Sequence, residues 1–299
     1  MFEQGFYNRL GFGTGAYEHR VTLPTPELKV DVTPRVPKRL TLDDWEAIHA
    51  ARLKRRRQHA SGSLHPAAFT RGRMHDTSGT AFGLGYADDP DGGLTHLVWC
   101  TTGNVAHGPY EVKYLIYRTR EQFLELLALL KSLGDQVFSI TLHEPSEVQL
   151  QDLVHQPFRS RDVTRGSSHA TRLDAAAWWQ MRICDLPACL AQTHLCGRSV
   201  RFNLKLSDPI ARYLPGEAPW RGVAGEYVVT LGPESSARPG EDAALPTMQT
   251  TVNAFTRLWL GVRPASGLAM TDDIAAPEGL LEALDALIRL PVPRADWDY

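Results

Sequence analysis

The sequence predicts an α/β fold followed by an α+β fold. Three patterns carry that expectation. Apolar and polar residues alternate at Tyr110, Val112, Tyr114 and Ile116, then Phe123, Leu126, Leu127 and Leu130 repeat at helical spacing, and a new strand alternation begins at Val200. With 299 residues, 43% of them hydrophobic and 22% charged, the chain is globular and long enough for two or three domains.

The opening is the least self-sufficient part. A short amphipathic stretch around Phe6, Tyr7 and Leu10 runs into Gly11, Gly13 and Gly15 and then an extended segment, 17–23. A helix and one or two strands cannot form a sheet alone, and an unpaired strand edge is a liability. This predicts a missing preceding segment, or that these residues complete another subunit. Pro24, Pro26, Pro34 and Pro37 then remove backbone donors, as in an extended linker over 24–37.

From Thr41 a helix is expected, with Asp43 and Asp44 in its first turn, where the dipole favours anions, and Trp45 and Ile48 as its apolar stripe, ending near Gly62. A short helix over 66–74 precedes strands at 80–86 and 94–101, joined by the Asp88–Gly93 turn. The strand at 110–116, the leucine-rich helix, a strand at 137–142 and a helix over 145–154 complete a mixed-sheet unit spanning 38–165. The region 166–299 reads as an α+β layer. It holds a helix capped by Asp185, strands at 200–206, 227–231 and 248–252, a helix capped by Asn253 and stopped by Gly261, and a last helix opened by Pro277. The stretch 232–246 reads as a loop.

Composition removes several function classes. Lys and Arg total 32 against 34 Asp and Glu, a formal net charge of −2, which lacks the basic excess of a general nucleic-acid binder. No apolar run approaches the ~20 residues of a membrane helix, and no signal peptide opens the chain, so a cytoplasmic protein without nucleic-acid or membrane partners is expected. Cys100, Cys184, Cys189 and Cys196 lack C-x-x-C spacing and read as buried free thiols. The histidines show no metal-site spacing. The glycine cluster lacks the Lys-Ser or Lys-Thr pair of a phosphate loop and reads as a helix C-cap. The run Arg52, Lys54, Arg55, Arg56 and Arg57 reads as a solvated helix terminus.

Two features remain: Phe6-Tyr7-Asn8-Arg9-Leu10-Gly11-Phe12-Gly13, and the acidic, aromatic end Asp296-Trp297-Asp298-Tyr299. With the order of regions, they resemble the enhanced-intracellular-survival (Eis) type acetyltransferases of the GNAT superfamily. That family has an N-terminal GNAT domain, a second GNAT-like domain and a sterol-carrier-protein-like domain ending in an aromatic residue. The first stretch is similar to the motif near the end of the first GNAT domain, which makes residues 1–23 a remnant of it. Residues 38–165 look like the second domain. The third is matched by 166–299, with Arg172, Leu173, Trp179, Arg182, Ile183 and Asp185-Leu186-Pro187 carrying the likeness. The family's acetyl-CoA loop, Gln/Arg-x-x-Gly-x-Gly/Ala at a helix N-terminus, occurs nowhere in this chain. The chain thus resembles the family with most of the first domain absent, roughly a hundred residues on domain-size arithmetic, and is expected not to bind acetyl-CoA well.

The resemblance implies acetyl transfer from acetyl-CoA to a small-molecule or peptide amine, in a homo-oligomer. It places Tyr7 as the acid for the departing thiolate. A phenol near ~10 is a weaker acid than a thiol near ~8.5, so Tyr7 acts as a hydrogen-bonding acid in the transition state. It makes the α-carboxylate of Tyr299 the base. At ~3.5 against ~10 for an alkylammonium, a carboxylate must be raised by burial or work through a water. Asp296, Trp297 and Asp298 then form an acidic, aromatic surface for a cationic substrate. The alternatives are a non-catalytic carrier whose third domain holds a lipid in an apolar cavity, and a scaffold whose first twenty residues complete another subunit's sheet.

Overall fold

The computed structural model describes residues 4–57, 66–77, 79–104, 106–156 and 171–294. In chain order, it opens with α1 (Gln4–Asn8), β1 (Gly13–Thr14), β2 (Glu18–Pro24), β3 (Lys38–Leu40), α2 (Trp45–Lys54) and α3 (Ala67–Asp76). Next come β4 (Ala81–Tyr86), β5 (His96–Thr102), β6 (Tyr110–Ile116), α4 (Arg120–Ser132), β7 (Ser139–His143), β8 (Arg172–Ala176), β9 (Gln180–Met181) and α5 (Leu186–Ala191). Strands β10 (Val200–Ser207), β11 (Gly225–Leu231), β12 (Ser236–Pro239) and β13 (Thr247–Thr251) precede α6 (Val252–Trp259), α7 (Ala265–Thr271), β14 (Ile274–Ala275) and α8 (Glu278–Leu287). The elements fall into two compact units, one running from Glu18 to Ala176 and the other combining the residues up to Tyr17 with those from Ala177 onward.

The first of these is built on a seven-stranded mixed sheet in the order β3-β4-β5-β6-β7-β2-β8, antiparallel except for β6 and β7. Trp99 opposes Tyr114 while the next residue, Cys100, opposes Val112, so Lys113 is an extra residue on β6. Such a bulge reverses which face each side chain takes. Tyr114 and Ile116 therefore join Leu40, Ile48, Met74 and Trp99 in one core cluster, and Tyr110 and Val112 join Leu126, Leu127 and Ile140 in another. Helix α4 presents Phe123, Leu126, Leu127 and Leu130 to the latter, as the leucine spacing predicts.

The other unit holds a five-stranded sheet, β12-β11-β10-β13-β14, and the two-stranded pair β1-β9. Alternation along β10 turns Phe202, Leu204 and Leu206 to the core, where they meet Met248, Phe255, Leu258 and Leu284. Gly261 stops α6 with φ +67, the left-handed conformation that favours glycine.

Several expectations change. The opening strands have partners in this chain: β1 pairs with β9, and β2 lies between β7 and β8. The division of compact units falls between Tyr17 and Glu18 rather than after residue 23, and β8 belongs with the seven-stranded sheet. The first half of the proline-rich stretch, 24–30, is packed, because Leu28 and Val30 are buried and the Thr25 hydroxyl donates to the Val137 carbonyl at 2.6 Å, whereas 31–37 is mostly exposed. The helix expected over 145–154 shrinks to a 3-10 turn, Leu150–Leu153, tied by the Leu150 N–H to the Glu144 carboxylate. Thr251, not Asn253, caps α6, and the loop 232–246 contains β12. Arg52 is not solvated: its guanidinium is buried, donates to Thr70 Oγ1 at 2.8 Å and lies over the Tyr114 ring. All four cysteines are free, but only Cys100 is buried, and burial pushes its thiol up to about 12; Cys184 and Cys196 are exposed.

Arg35, inside the proline-rich stretch, ties it to the sheet. Its guanidinium spans Asp88 and Glu125 at 2.8 Å each and stacks over Tyr86, whose hydroxyl donates to the Arg35 carbonyl. The fully buried His96 stacks on the other side of Tyr86 and meets Glu125 at 3.0 Å and Thr95 at 2.8 Å. Hydrogen bonds from Arg35 hold Glu125 well below its usual value near 4.5, at about 2. Burial pushes His96 below its ordinary range. The folded state therefore holds fewer protons than the unfolded chain at both groups. Stability should start to fall as pH drops below about 6.5, then fall further between about 4.5 and 2 as Glu125 is protonated. Urea midpoints measured across that range should show a shallower acid loss in Glu125→Gln, together with lower stability at neutral pH; an unchanged slope would remove this cluster from the account.

Candidate functional site

The one sequence-predicted site residue that lies in the described structure is Tyr7. It sits on α1, half-buried, with its ring edge-on to Phe6 at 5.3 Å and to Phe12 at 5.8 Å between centroids. Its carbonyl accepts from the N–H groups of Leu10 and Phe12, which turns the chain back on itself, and Gly11 takes φ +89 to allow that turn. Asp296, Trp297, Asp298 and Tyr299 lie outside the described residues, so the structure does not place them with Tyr7.

Two later residues hold the Tyr7 turn. Arg182 donates to the Leu10 carbonyl, and Asn253 Nδ2 donates to the carbonyls of Asn8 at 2.7 Å and Phe12 at 3.1 Å. Arg182 is itself locked: its side chain is 4% exposed and it meets the fully buried Asp208 carboxylate at 2.6 Å, under the Trp220 ring at 4.9 Å. Asp208 spends its remaining acceptor capacity on the backbone N–H groups of Ile210 and Val223. Among the described residues, Arg182 Nε is buried without a partner, but the other hydrogen bonds of this buried ion pair fix its geometry. Sequence reasoning placed Arg182 in the family motif without a role and read Asn253 as a cap. Neither the spacing nor the composition pairs them with residues some 170 and 245 positions earlier.

The fit to acetyl-CoA can be tested on these residues. A phosphate-binding turn needs glycines with open space and free N–H groups at a helix N-terminus. The space beside Gly11 is taken by Arg182 and Val252, that beside Gly13 by the Asn253 carbonyl, and that beside Gly15 by the Trp179 indole. These glycines serve close packing. In the seven-stranded unit, α4 follows the strand that pairs in parallel with β7, but its first turn is self-satisfied. Thr119 Oγ1 accepts from the Gln122 N–H, and Gln122 Oε1 accepts from the Arg118 N–H. The Glu121 carboxylate sits there too, held low by its own N–H and the Thr119 hydroxyl. A pyrophosphate would meet an anion in place of open donors. The described residues do not fit the cofactor.

The five-stranded unit carries an open depression of about 790 Å³ whose lining includes Lys205, Glu226, Gln249, Thr251, Asp272 and Asp273. Leu206, Ile274 and Ala275 also line it, so charged and apolar groups are mixed there. The core face of the same sheet is filled by Phe202, Leu204, Val229, Met248 and Phe255, each fully buried. Among the described residues, no group of three or more His, Cys, Asp or Glu side chains is arranged to hold a metal ion, and no helix is long and apolar enough to cross a membrane.

The mixed α/β architecture is similar to that of solved structures described as GCN5-related N-acetyltransferases. The chain superposes over its whole length on a conserved Enterococcus faecalis protein described as a probable N-acyltransferase, with a TM-score of 0.77 and 17% identity, covering 71% of that chain. It matches a GCN5-related N-acetyltransferase from Anabaena variabilis at a TM-score of 0.74 and 14% identity over 99% of this chain and 70% of the other. Eis1 from Mycobacterium abscessus matches at 0.68 and 17%, over 100% of this chain and 72% of Eis1. At these identities the likeness is one of fold. No family model matches the sequence, and no curated protein is similar to it in sequence.

Removing the Arg182 guanidinium leaves Asp208 as an unpaired buried charge. Arg182→Ala should cost about 3–5 kcal/mol in urea unfolding and speed hydrogen exchange at Leu10, Gly11 and Phe12. A loss below about 1 kcal/mol, the scale of a surface pair, would show that the pair does not hold this turn.

Proposed function

We propose that this chain forms the acid-bearing and acceptor-side part of an Eis-like, GNAT-type N-acetyltransferase that delivers acetyl groups to an amine. The likeness to solved N-acetyltransferases along the entire chain supports this, because it extends to the turn carrying Tyr7. In this reading, the residues up to Tyr17 close an N-terminal acetyltransferase domain. Glu18 to Ala176 make a second, GNAT-like domain, and the rest is a sterol-carrier-protein-like domain. Acetyl-CoA is the expected donor of the full reaction. The residues described above do not cradle it, so the chain by itself is assigned no step in binding it.

The chain's own groups account for the acceptor side. The amine must be uncharged to attack and must be attracted while it is still a cation. Asp296, Asp298 and the Tyr299 carboxylate supply the attraction and Trp297 a cation–π face. A carboxylate is too weak a base to strip an alkylammonium directly, so its role is electrostatic, and the ammonium proton passes through a water to bulk solvent before the amine attacks. The Tyr7 O–H donates a hydrogen bond to the developing negative charge. The clamp by Arg182 and Asn253 fixes the backbone that follows it, at Asn8, Leu10 and Phe12, and catalytic groups need such positioning.

Isothermal titration of acetyl-CoA into this chain should show no submicromolar binding; tight binding would refute the reading of its cofactor chemistry. In a polypeptide that also supplies a cofactor loop, Tyr7→Phe should lower kcat by about 10²- to 10⁴-fold with KM little changed. Residues appended after Tyr299 should lower turnover of cationic amines, and undiminished turnover would eliminate the carboxylate's role.

A further inference from the structure

Two of the free cysteines flank one turn. Asp185 caps α5 by accepting from the Ala188 N–H at 2.9 Å, and the Cys189 N–H donates to the Asp185 carbonyl at 3.1 Å. Cys184 stands just before the cap and Cys189 is the fourth residue after it. In a turn closed this way, those two positions carry the side chains that pack on one another, ordinarily as an apolar pair. Here both carry thiols. The turn is held on each side: the Cys184 carbonyl accepts from Trp220 Nε1 at 3.0 Å, and Leu186 and Leu190 anchor α5 in the core, both fully buried.

The two thiols differ in environment. Cys184 is exposed, with its Sγ 4.0 Å from the Arg182 carbonyl. Cys189 is half-buried against the core of the five-stranded unit. Burial pushes the Cys189 thiol up, and the neighbouring Asp185 and Cys184 add to that. Cys184 is therefore the thiol that a small oxidant reaches first, and Cys189 stands behind it as a resolving thiol.

We propose that Cys184 and Cys189 form a reversible redox pair, in which a peroxide oxidises Cys184 and a disulfide to Cys189 then closes across the Asp185 turn. The Cys184 thiolate attacks one peroxide oxygen and the O–O bond breaks, giving a sulfenic acid and hydroxide. The Cys189 thiolate then attacks the sulfenic sulfur, the S–S bond forms and a second hydroxide leaves. With hydrogen peroxide, two electrons pass from the thiols to the oxidant, and the two thiol protons end in two waters. A dithiol returns both cysteines to the reduced state by exchange. To close the bond, the Cys184 thiol leaves the Arg182 carbonyl and turns onto α5 by rotation about its Cα–Cβ bond. The bond then lies two residues from the arginine that holds the Tyr7 turn, beside the Trp220 ring that covers that guanidinium.

The other cysteines are placed differently. Cys100 is fully buried in the other unit, where burial keeps its thiol protonated. Cys196 lies past the far end of α5, on a segment that the Leu195 N–H ties to the Gly232 carbonyl at 2.8 Å. The chemistry of the pair is independent of the acetyl-transfer reading.

The test exposes the reduced full chain to a small excess of hydrogen peroxide and counts its thiols after unfolding. The four thiols should fall to two, the mass should drop by two hydrogens, and dithiothreitol should restore both. Fragmentation of the tryptic peptide 183–198, which carries all three candidate cysteines, should place the bond between Cys184 and Cys189. Cys196→Ser should leave bond formation unchanged, whereas Cys184→Ser and Cys189→Ser should each abolish it. The peptide assignment needs no variant, so it keeps the test valid if a substitution unfolds the chain. A chain that keeps four thiols overturns the proposal. So does a bond that involves Cys196, or one that joins two chains on a non-reducing gel.

Discussion

Backbone pairing between the first two dozen residues and segments more than a hundred positions later is the constraint on which both units depend. Among the described residues, strand β2 is the only partner of β8 and the link between β8 and β7; without it the larger sheet ends at β7. Strand β1 likewise exists only because β9 lies against it. Each ladder closes a long loop, and that entropy is recovered only when the whole set of strands has assembled. Edge strands short of partners would otherwise be aggregation sites. The opening segment thus behaves as an integral part of each sheet that it enters.

Buried charge then fixes what the ladders leave adjustable. In one unit, Arg182 is shared between Asp208 and the Leu10 carbonyl, so the conformation of the turn behind Tyr7 is tied to an ion pair made by residues from the other end of the chain. In the other, Arg35 and His96 converge on Glu125 from a proline-rich stretch and a strand. Only the first ion pair is buried; in the second, Arg35 is 54% and Asp88 38% exposed. The Asp208 carboxylate accepts from Arg182 and from two backbone N–H groups, and such bonding lets a buried ion pair define geometry.

The likeness to solved acetyltransferase structures is one of architecture, and it does not extend to a cofactor cradle at the turns described above. The glycines that might have formed one are pressed against Arg182, Asn253 and Trp179, and the first turn of α4 is closed by its own Thr119, Glu121 and Gln122. A fold can persist while its donor groups are spent on packing and capping.

The sequence by itself determined the local elements with strong periodicity. The alternation at β6 and β10, the leucine stripe of α4, the Asp185 cap and the Gly261 stop are all dictated by residues within a few positions of one another. It also singled out the Tyr7 turn, through the resemblance of residues 6–13 to a family motif. Only the tertiary structure decided what the ladders and clamps join. Nothing near residues 24–37 announces that Leu28 will bridge Val154, that the Val30 carbonyl will accept from Lys131 or that Arg35 will be held by Asp88 and Glu125. Nor does any local signal reveal that Lys113 is bulged, that Arg52 is buried, or that Arg182 and Asn253 hold Tyr7's turn. These depend on which segments meet after long loops close, and meeting is governed by the mutual fit of distant surfaces rather than by any neighbourhood of the chain.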